Sequence, residues 1–338
     1  MVSNSTQSVR LHDQFGRHIN YLRISLIDRC NLRCVYCMPT NGLRFLPNDK
    51  LLTVDEIELV ARAAAGVGFR KIRFTGGEPT LRPELVEIVR RVGAVDGIDE
   101  ITMTTNGTRL PQMARDLAEA GLRRVNVHID TLNPKRLPLI MRWGSLEKLW
   151  SGIEAAEEAG LTPIKINCVV AKGYNDEDVV DLARLTLEND WYVRFIELMP
   201  LGRGPEAQFA VDKLVSSAET KARIETALGG LVHVPGDSPA DESENFRLPA
   251  ARGIIGFISP VSNPYCGTCN RMRLTADGKF HLCLLHDDEI DVKATIRNSG
   301  TIEDIQTILQ RAVHQKPTGH ALNEGVSAQE RNMFQIGG

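Results

Sequence analysis

The sequence predicts an α/β fold: a partial, incomplete TIM-type barrel of about six β/α units followed by a C-terminal extension. Short β-branched runs alternate with amphipathic stretches through the first two thirds of the chain. Such a series gives parallel strands joined by right-handed crossovers. A complete eightfold barrel takes about 250 residues, whereas the alternation here stops near residue 210 and the composition changes after about residue 231. We therefore expect an open barrel with a wide mouth.

The periodicity of the apolar residues predicts the individual elements of the barrel. Several runs are apolar on both faces, as expected for strands covered by helices. The predicted strands are Leu22–Ile27, Lys71–Thr75, Glu100–Thr105, Arg124–Ile129, Ile164–Val170 and Tyr192–Leu198. Thr53 and Glu56 form a capping box in front of a helix whose apolar positions recur on one face. Further helices are predicted at Pro83–Arg91, Gln112–Ala120, Leu146–Ala159 and Asp176–Glu188.

The C-terminal extension has a different pattern. Pro235 to Ser243 is rich in Pro, Gly, Ser and acidic residues, which is typical of a loop. Asp277-Gly278 separates two alternating runs and predicts a hairpin. The other predicted elements are strands Ile254–Ile258, Arg271–Leu274 and Lys279–Cys283 and helices Val292–Asn298 and Ile302–Val313. We expect two domains, with residues 1–215 forming the partial barrel and residues 216–338 the C-terminal region.

Composition and charge indicate a cytoplasmic chain that binds neither nucleic acid nor a membrane. The 338 residues include 42% hydrophobic and 25% charged residues, with a net charge of −3, so no overall field attracts a polyanion. The polar N-terminus has no signal-peptide pattern, and no apolar run reaches the roughly 18 residues of a membrane span. Six of the seven cysteines form two clusters, which in a reducing compartment favours metal ligands over disulfides.

The first cluster, Cys30, Cys34 and Cys37, comes just after the first predicted strand. Barrel enzymes carry their catalytic loops in this position, and three closely spaced thiolates suit an iron–sulfur cluster. A four-iron cluster held by three thiolates keeps one iron open for a substrate, in the manner of catalytic metal sites. Structural zinc is the alternative, but it normally has four ligands, and no histidine lies within this cluster.

The spacing C-x-x-x-C-x-x-C after a first strand resembles that of the radical S-adenosylmethionine superfamily. The loop Thr75-Gly76-Gly77-Glu78-Pro79 after the second strand agrees, because adjacent glycines allow a ligand to approach the backbone closely. On its own, this loop would be an ordinary turn. The resemblance implies that the three cysteines hold a 4Fe-4S cluster, that the loop receives the methionine amino end, and that Tyr36 lies beside the adenine.

The second cluster consists of Cys266, Cys269 and Cys283. It can hold a second cubane whose open iron binds the substrate, or a zinc ion, because the first pair has zinc-like spacing and His281 or His286 would complete a Cys₃His site. Arg271 and Arg273 share one face of the next strand. Two guanidinium groups beside a vacant metal position would clamp a phosphate; a solvated strand face is the alternative.

The whole pattern resembles the GTP 3′,8-cyclase family. It comprises both cysteine triplets, the Gly-Gly-Glu-Pro loop, the Asn-Arg-x-Arg sequence at 270–273 and a terminal Gly-Gly, and it runs from about Leu11 to the last residue. The resemblance implies a lyase with two 4Fe-4S clusters and S-adenosylmethionine. Such an enzyme converts GTP to (8S)-3′,8-cyclo-7,8-dihydroguanosine 5′-triphosphate, the first step of molybdenum cofactor biosynthesis. It also implies an external one-electron reductant and transfer of the product to the cyclic pyranopterin monophosphate synthase, and it allows a homodimer.

The resemblance further implies individual contacts. Those to S-adenosylmethionine are Tyr36, Gly77, Glu78, His128 and Met199, and those to GTP are Arg23, Arg73, Thr104, Lys165, Arg271, Met272 and Arg273. His128 departs from the pattern, since many relatives have serine there. Arg271, Arg273, Gly337 and Gly338 are implied to act in catalysis, with the Gly-Gly tail inserted into the active site rather than frayed. Cys168 lies in an apolar strand and is predicted to be a core residue.

Two other functions stay open at this point. A peptide-modifying radical S-adenosylmethionine enzyme with an auxiliary cluster would share the first triplet, but it gives no reason for the Arg271/Arg273 pair or a terminal Gly-Gly. A non-enzyme, either an electron carrier or a zinc-stabilised binding module, would have no open iron and would not cleave S-adenosylmethionine.

Overall fold

The computed structural model describes residues 10–236, 238–324 and 326–337. Its strands are β1 (Tyr21–Ser25), β2 (Lys71–Thr75), β3 (Glu100–Thr105), β4 (Arg124–His128), β5 (Lys165–Val170), β6 (Tyr192–Glu197), β7 (Val232–Val234), β8 (Glu244–Arg247), β9 (Ile254–Ile258), β10 (Arg271–Leu274), β11 (Lys279–His281) and β12 (Glu289–Asp291). Its helices are α1 (Val54–Gly66), α2 (Leu85–Gly93), α3 (Ala114–Glu119), α4 (Leu137–Ile140), α5 (Leu146–Glu158), α6 (Val179–Glu188), α7 (Pro205–Asp212), α8 (Ser217–Leu228), α9 (Lys293–Arg297), α10 (Ile302–His314) and α11 (Met333–Ile336). The predicted α/β class is confirmed.

All strands belong to one sheet with a long parallel centre. The central strands β10-β1-β2-β3-β4-β5-β6-β9 pair in parallel, and β1 to β6 follow one another in chain order. Antiparallel strands extend both edges, β11 and β12 next to β10, and β8 and β7 next to β9. Within the described residues, the two outermost strands β12 and β7 do not pair with each other. The sheet is therefore open, which agrees with an incomplete barrel.

The β/α alternation continues further than predicted. Strand β9 pairs with β6 in parallel, and the connection between them contains α7 and α8. The β7–β8 hairpin interrupts this connection. Its strands of three and four residues show little periodicity, so the sequence pattern did not indicate a further β/α unit here. The predicted domain division at residue 215 stays a prediction; β9 and β10 belong to the same sheet as β1 to β6.

Alternating side chains divide the central strands into an apolar and a polar face. Ile72 and Phe74 on β2 are fully buried in the main core, as are Met272 and Leu274 on β10. The intervening arginines occupy the opposite face. The side chain of Met272 therefore packs in the core, and only its backbone remains for the nucleotide contact that the family pattern implies.

Two further observations concern buried and apolar residues. Cys168 on β5 is fully buried within the main core, which confirms its prediction as a core residue. None of the helices in the described part of the chain has the length and apolar character needed to cross a bilayer.

Candidate active site

Three adjoining cavities contain most of the predicted site residues. The carboxyl-end cavity lies where β2 to β6 end and is lined by the first cysteine triplet. The amino-end cavity lies at the opposite ends of the strands and is lined mainly by charged and polar residues. The side cavity is lined by the second cysteine triplet. Met199 lines both the carboxyl-end and the side cavity, while Glu242 and Arg271 line both the side and the amino-end cavity. The three cavities are thus immediate neighbours.

The first cysteine triplet has the properties of a metal site. Cys30, Cys34 and Cys37 are free thiols on the loop after β1, and the backbone N–H of Leu32 donates to the Sγ of Cys30 at 3.3 Å. Burial raises the pKa of Cys30 and Cys34 to about 11 and that of Cys37 to about 12. Thiols bind metal only as thiolates, so these groups need a cation to ionise at neutral pH. Three thiols without a fourth ligand fit an open four-iron cluster.

A mixed metal site around Cys34 is the other arrangement to consider. Donor atoms of Cys34, His128 and Asp130 lie within 4.8 Å of one another. However, His128 Nε2 lies 2.9 Å from Asp130 Oδ2, and the Tyr36 hydroxyl donates to the same Oδ2 at 2.7 Å. A mixed site would break these hydrogen bonds and leave Cys30 and Cys37 unused. The cluster uses all three thiols, and we prefer it.

The Gly-Gly-Glu-Pro loop is held directly against the loop of the first triplet. The N–H of Gly77 donates to Ile27 O at 2.6 Å, and that of Glu78 donates to Arg29 O at 2.8 Å. A Cβ on Gly77 would lie 2.3 Å from Arg29 O, so a side chain would push the two loops apart. Glycine at this position therefore sets the close approach of the two chain segments beside Cys30.

The carboxylate of Glu78 is fully engaged by the protein. Its Oε1 accepts from Thr80 N at 3.1 Å, Thr80 Oγ1 at 2.5 Å and Thr105 Oγ1 at 2.7 Å, while Oε2 accepts from Asn106 N at 2.7 Å. Burial raises the pKa of Glu78. These bonds tie the loop after β2 to the loop after β3, so Glu78 shapes this wall of the cavity. The predicted contact with the methionine ammonium stays a prediction.

His128 lies in a buried polar network that includes an acid missed in the sequence. Besides its contact with Asp130, its Nε2 lies 2.7 Å from the hydroxyl of Tyr36. Burial alone would lower the pKa of His128, but Asp130 more than offsets this and raises the pKa well above its ordinary value. Asp130 therefore favours the protonated form of this imidazole at the wall of the carboxyl-end cavity. The sequence did offer a signal for this network, because Asp130 lies only two residues after His128, where the chain departs from the family pattern.

The C-terminal tail enters the carboxyl-end cavity. Met333 and Phe334 on α11 line it together with the first triplet, and Gly337 is buried with a left-handed φ of 84°. A Cβ on Gly337 would lie 2.5 Å from Thr75 Cγ2. The tail up to Gly337 is therefore packed inside the molecule and not frayed. Gly338, the other predicted catalytic glycine, lies outside the described residues.

Arg331 attaches the tail to the second half of the chain. Its Nη2 lies 2.9 Å from Asp277 Oδ2 and 3.1 Å from Glu289 Oε2, and its Nε donates to Glu289 as well. The Arg331 side chain is only 12% exposed, so removing it costs more than breaking a surface ion pair, because it leaves partly buried carboxylates with fewer partners. The turn residue Asp277 thus links the β10–β11 hairpin to the tail.

Replacing Arg331 with glutamine should loosen the tail. Loss of the charge removes the ionic partner of Asp277 and leaves Glu289 with Lys279 and His281 alone, so the tail loses its attachment and we expect about tenfold faster amide hydrogen exchange across residues 332–337. The matched control is Arg203→Gln, because Arg203 pairs with Glu330 on the exposed surface and such pairs contribute little. Equal exchange in both variants would contradict the anchoring role of Arg331.

The second cysteine triplet lines the side cavity with several cationic residues. Cys266, Cys269 and Cys283 are free thiols and share the cavity with Lys316. Burial alone would raise the pKa of Cys269, but the neighbouring Lys316 and Arg271 outweigh it and lower the pKa to about 7. A thiol that ionises near neutral pH in the absence of metal is a good ligand for iron.

The histidines proposed for a zinc site lie outside the side cavity. His281 Nδ1 lies 3.3 Å from Glu289, His286 Nε2 lies 2.9 Å from Gly319 O, and neither residue lines the side cavity. His320 does line it, but its Nε2 lies 2.7 Å from Pro260 O and its Nδ1 accepts from Leu322 N. Among the described residues, no free imidazole completes a Cys₃His site, and the triplet fits a second open cluster.

Strand register brings the predicted arginines together on the polar face. Arg23 on β1 is level with Arg73 on β2 and with Arg273 on β10. These three side chains and Arg271 are buried, so the alternative of a solvated strand face for Arg271 and Arg273 is wrong. Buried guanidinium groups require anionic partners, and their concentration here indicates a site for a polyanion.

The remaining predicted nucleotide contacts are divided between two cavities. Lys165 lines the amino-end cavity, and burial together with nearby guanidinium groups lowers its pKa to about 7. Thr104 instead lines the carboxyl-end cavity. Arg194 on β6, which we missed, is buried and lines the amino-end cavity. The signal was available, because Arg194 is the third residue of an otherwise mainly apolar strand, as Arg23 and Arg73 are in theirs.

Comparison with known proteins gives consistent family matches along the chain. The Radical SAM superfamily profile matches residues 24–186, and the Molybdenum Cofactor Synthesis C profile matches residues 191–322. A protein of Pelotomaculum thermopropionicum described as GTP 3′,8-cyclase is 46% identical over 97% of this chain and 100% of its own length. Another of the same description, from Moorella thermoacetica, is 45% identical over the same shares.

Solved structures share the fold at low sequence identity. Streptococcus suis SuiB, in a crystal structure with bound S-adenosylmethionine, matches with a TM-score of 0.58 and 15% identity over 86% of this chain and 68% of its own. The same protein bound to its precursor peptide SuiA matches with a TM-score of 0.55 and 15% identity over 89% of this chain and 65% of its own. At this identity the likeness concerns the fold alone.

Proposed function

Because this chain belongs to the GTP 3′,8-cyclase family of radical S-adenosylmethionine enzymes, we propose that it converts GTP to (8S)-3′,8-cyclo-7,8-dihydroguanosine 5′-triphosphate. This lyase reaction is the first step of molybdenum cofactor biosynthesis. Its cofactors are two 4Fe-4S clusters and S-adenosylmethionine. The observation that carries the proposal is the adjacency of the cavities: Met199 joins the two cysteine-lined cavities, and Arg271 joins the second to the arginine cluster.

At the carboxyl-end cavity the protein binds and shields S-adenosylmethionine. Cys30, Cys34 and Cys37 would hold the first cluster, which when bound supplies an electron that splits S-adenosylmethionine into methionine and a 5′-deoxyadenosyl radical. The contacts we assign to S-adenosylmethionine are Tyr36, Gly77, Glu78, His128 and Met199. His128, as a cationic donor, replaces the serine of many relatives and suits the carboxylate of the methionine moiety. The tail up to Gly337 covers the cavity and excludes water, which protects a radical from side reactions.

At the other end the arginine cluster binds the triphosphate. Arg23, Arg73, Arg271 and Arg273 form a buried row that offers bidentate donors to phosphate oxygens. Lys165 is a further contact that the family pattern implies, and we add Arg194. Thr104 and the backbone of Met272 complete the contacts that the family pattern implies. Cys266, Cys269 and Cys283 would hold the second cluster, which when bound would offer an open iron to the guanine. Positioning the ribose between the two cysteine triplets is the main contribution of these residues to the rate.

The proposal also covers the partners of this enzyme and its location in the cell. The reaction needs an external one-electron reductant, and the product passes to the cyclic pyranopterin monophosphate synthase. A homodimer is compatible with the family. The seven free thiols support a reducing cytoplasm as the location.

The alternative of a peptide-modifying enzyme is not favoured. Its support would be the likeness to SuiB, which concerns only the fold. A buried arginine cluster suits a polyphosphate, whereas an extended peptide would need pockets for its side chains and backbone partners.

The test is anaerobic reconstitution followed by reduction with S-adenosylmethionine and GTP. We expect about eight irons per chain, as two four-iron clusters, and formation of 5′-deoxyadenosine together with the cyclised nucleotide. Omission of GTP, or its replacement with ATP, serves as the control. About four irons with bound zinc, or no cyclised nucleotide from a fully loaded enzyme, would refute the proposed function.

A further inference from the structure

A single carboxylate lies in the centre of the arginine cluster. Glu242, which lies at the end of the loop between β7 and β8, has its Oε2 2.5 Å from Arg23 Nη2 and 3.3 Å from Arg271 Nε. Its Oε1 lies 3.6 Å from Arg194 Nη1 and 3.8 Å from Arg73 Nη1. The side chain is 13% exposed. Both oxygens of Glu242 are therefore surrounded by guanidinium groups that we assign to the triphosphate.

The cluster has far more positive charge than this carboxylate neutralises. Arg23 Nε, Arg271 Nη1 and Arg273 Nε are buried without a hydrogen-bond partner among the described residues. Lys165 also faces this group, and burial together with the nearby guanidinium groups lowers its pKa to about 7. A buried guanidinium N–H without an acceptor costs free energy. A ligand with several anionic oxygens would satisfy more of these donors than Glu242 does.

Glu242 also lines two of the cavities. It lines both the amino-end cavity and the side cavity, as does Arg271. The neighbouring Ala240 O accepts from Arg271 Nη2 at 2.7 Å, so the end of this loop is attached to the cluster through the same arginine. A triphosphate could approach the arginines from either cavity. In both cases the Glu242 carboxylate occupies the position that the phosphate oxygens need.

We propose that Glu242 is an internal competitor of the triphosphate, which occupies the arginine cluster in the nucleotide-free enzyme and is displaced when GTP binds. This inference rests on the proposed function, since it uses the arginine cluster as the triphosphate site. The carboxylate keeps the guanidinium groups gathered in the absence of substrate, and it lowers the apparent affinity for any polyphosphate. When the occupied state is about 90% populated, the apparent Kd is raised about tenfold.

Recognition of guanine by Glu242 would be a different role for the same residue. A carboxylate can accept hydrogen bonds from the guanine N1 and N2 groups, but both oxygens of Glu242 already lie between guanidinium groups. The two roles predict opposite effects on affinity. Competition requires that binding tighten when the charge is removed, whereas guanine recognition requires that it weaken.

The experiment is calorimetric titration of the anaerobically reconstituted holoenzyme with GTP and, separately, with inorganic tripolyphosphate. For Glu242→Gln we expect about tenfold lower Kd for both ligands. We also expect a lower melting temperature without ligand and a larger rise in it on adding GTP, because the unpaired arginines then gain more from the nucleotide. Glu244→Gln is the matched control, since Glu244 lies two residues along on the surface. Glu242→Asp, which keeps the charge on a shorter side chain, should have an intermediate Kd and tests the idea if the glutamine variant fails to fold.

The outcomes separate this inference from the proposed function. If the wild type binds GTP and Glu242→Gln binds it equally or more weakly, the competitor role is wrong while the cyclase proposal stands. If the wild type binds tripolyphosphate but not GTP, and Glu242→Gln tightens the former, the competitor role stands and the cyclase proposal falls. If neither ligand binds, both are refuted.

Discussion

Replacing Cys283 with alanine is expected to lower the iron content from about eight to about four per chain and to abolish cyclisation. Cys283 is one of three thiols that line the side cavity, and the only histidine among the described residues that lines it, His320, has both ring nitrogens in hydrogen bonds. Two thiols cannot hold the cluster, so the guanine loses its anchor. We expect at least a 100-fold loss of cyclised nucleotide, the scale that misplacement of a reacting group costs, while binding of S-adenosylmethionine persists.

The control for this experiment is Cys168→Ala. Cys168 is a free thiol like Cys283, but it is fully buried in the main core and lines none of the three cavities. This variant should keep about eight irons at some cost in stability. Iron counts, electron paramagnetic resonance of the reduced protein and chromatography of the nucleotide products give the three readouts. Full iron content in Cys283→Ala would show that this cysteine is not a ligand.

The second large effect is expected for Gly337→Ala, which should abolish cyclisation while both clusters still assemble. The backbone of Gly337 has a φ of 84°, and a Cβ there would lie 2.5 Å from Thr75 Cγ2 and 3.4 Å from Gly76 N. The substitution strains the backbone and forces the tail away from the glycine loop. Because this loop and the tail share the cavity of the first triplet, we again expect a loss of at least 100-fold in product formation.

Gly230→Ala is the matched control for Gly337→Ala. Gly230 is exposed, and a Cβ there would meet no atom within 4 Å, so activity should stay unchanged. Unchanged activity in Gly337→Ala as well would show that the tail has no part in the reaction. A loss of iron in Gly337→Ala would instead indicate that the tail supports the first cluster, since the N–H of Phe334 also donates to Cys37.

Local sequence patterns were sufficient to predict the frame of the site. The bounds of β2, β3, β9 and β10 coincide with the predicted strands, because their buried apolar runs are flanked by turn residues. Cys30, Cys34 and Cys37 lie on one loop, so their spacing already brings them together. Cys266 and Cys269 come just before β10 and Cys283 just after β11, so the predicted hairpin brings these three together. The arginines of β1, β2 and β10 could be assigned to one face, since the period of a strand is two.

Only the tertiary structure decided which of these groups meet and what else joins them. Glu242 enters the arginine cluster from a loop far along the chain from Arg23, and no local spacing encodes that contact. The same holds for the histidines near the second triplet: His281 and His286 do not line its cavity, and both ring nitrogens of His320, which does line it, are in hydrogen bonds. The sequence by itself determined which ligand chemistry the chain carries, because ligand type and spacing are local properties. Which charges are buried together, and which side chain occupies the place of the substrate, depends on register and on long-range packing, and these are properties of the folded chain alone.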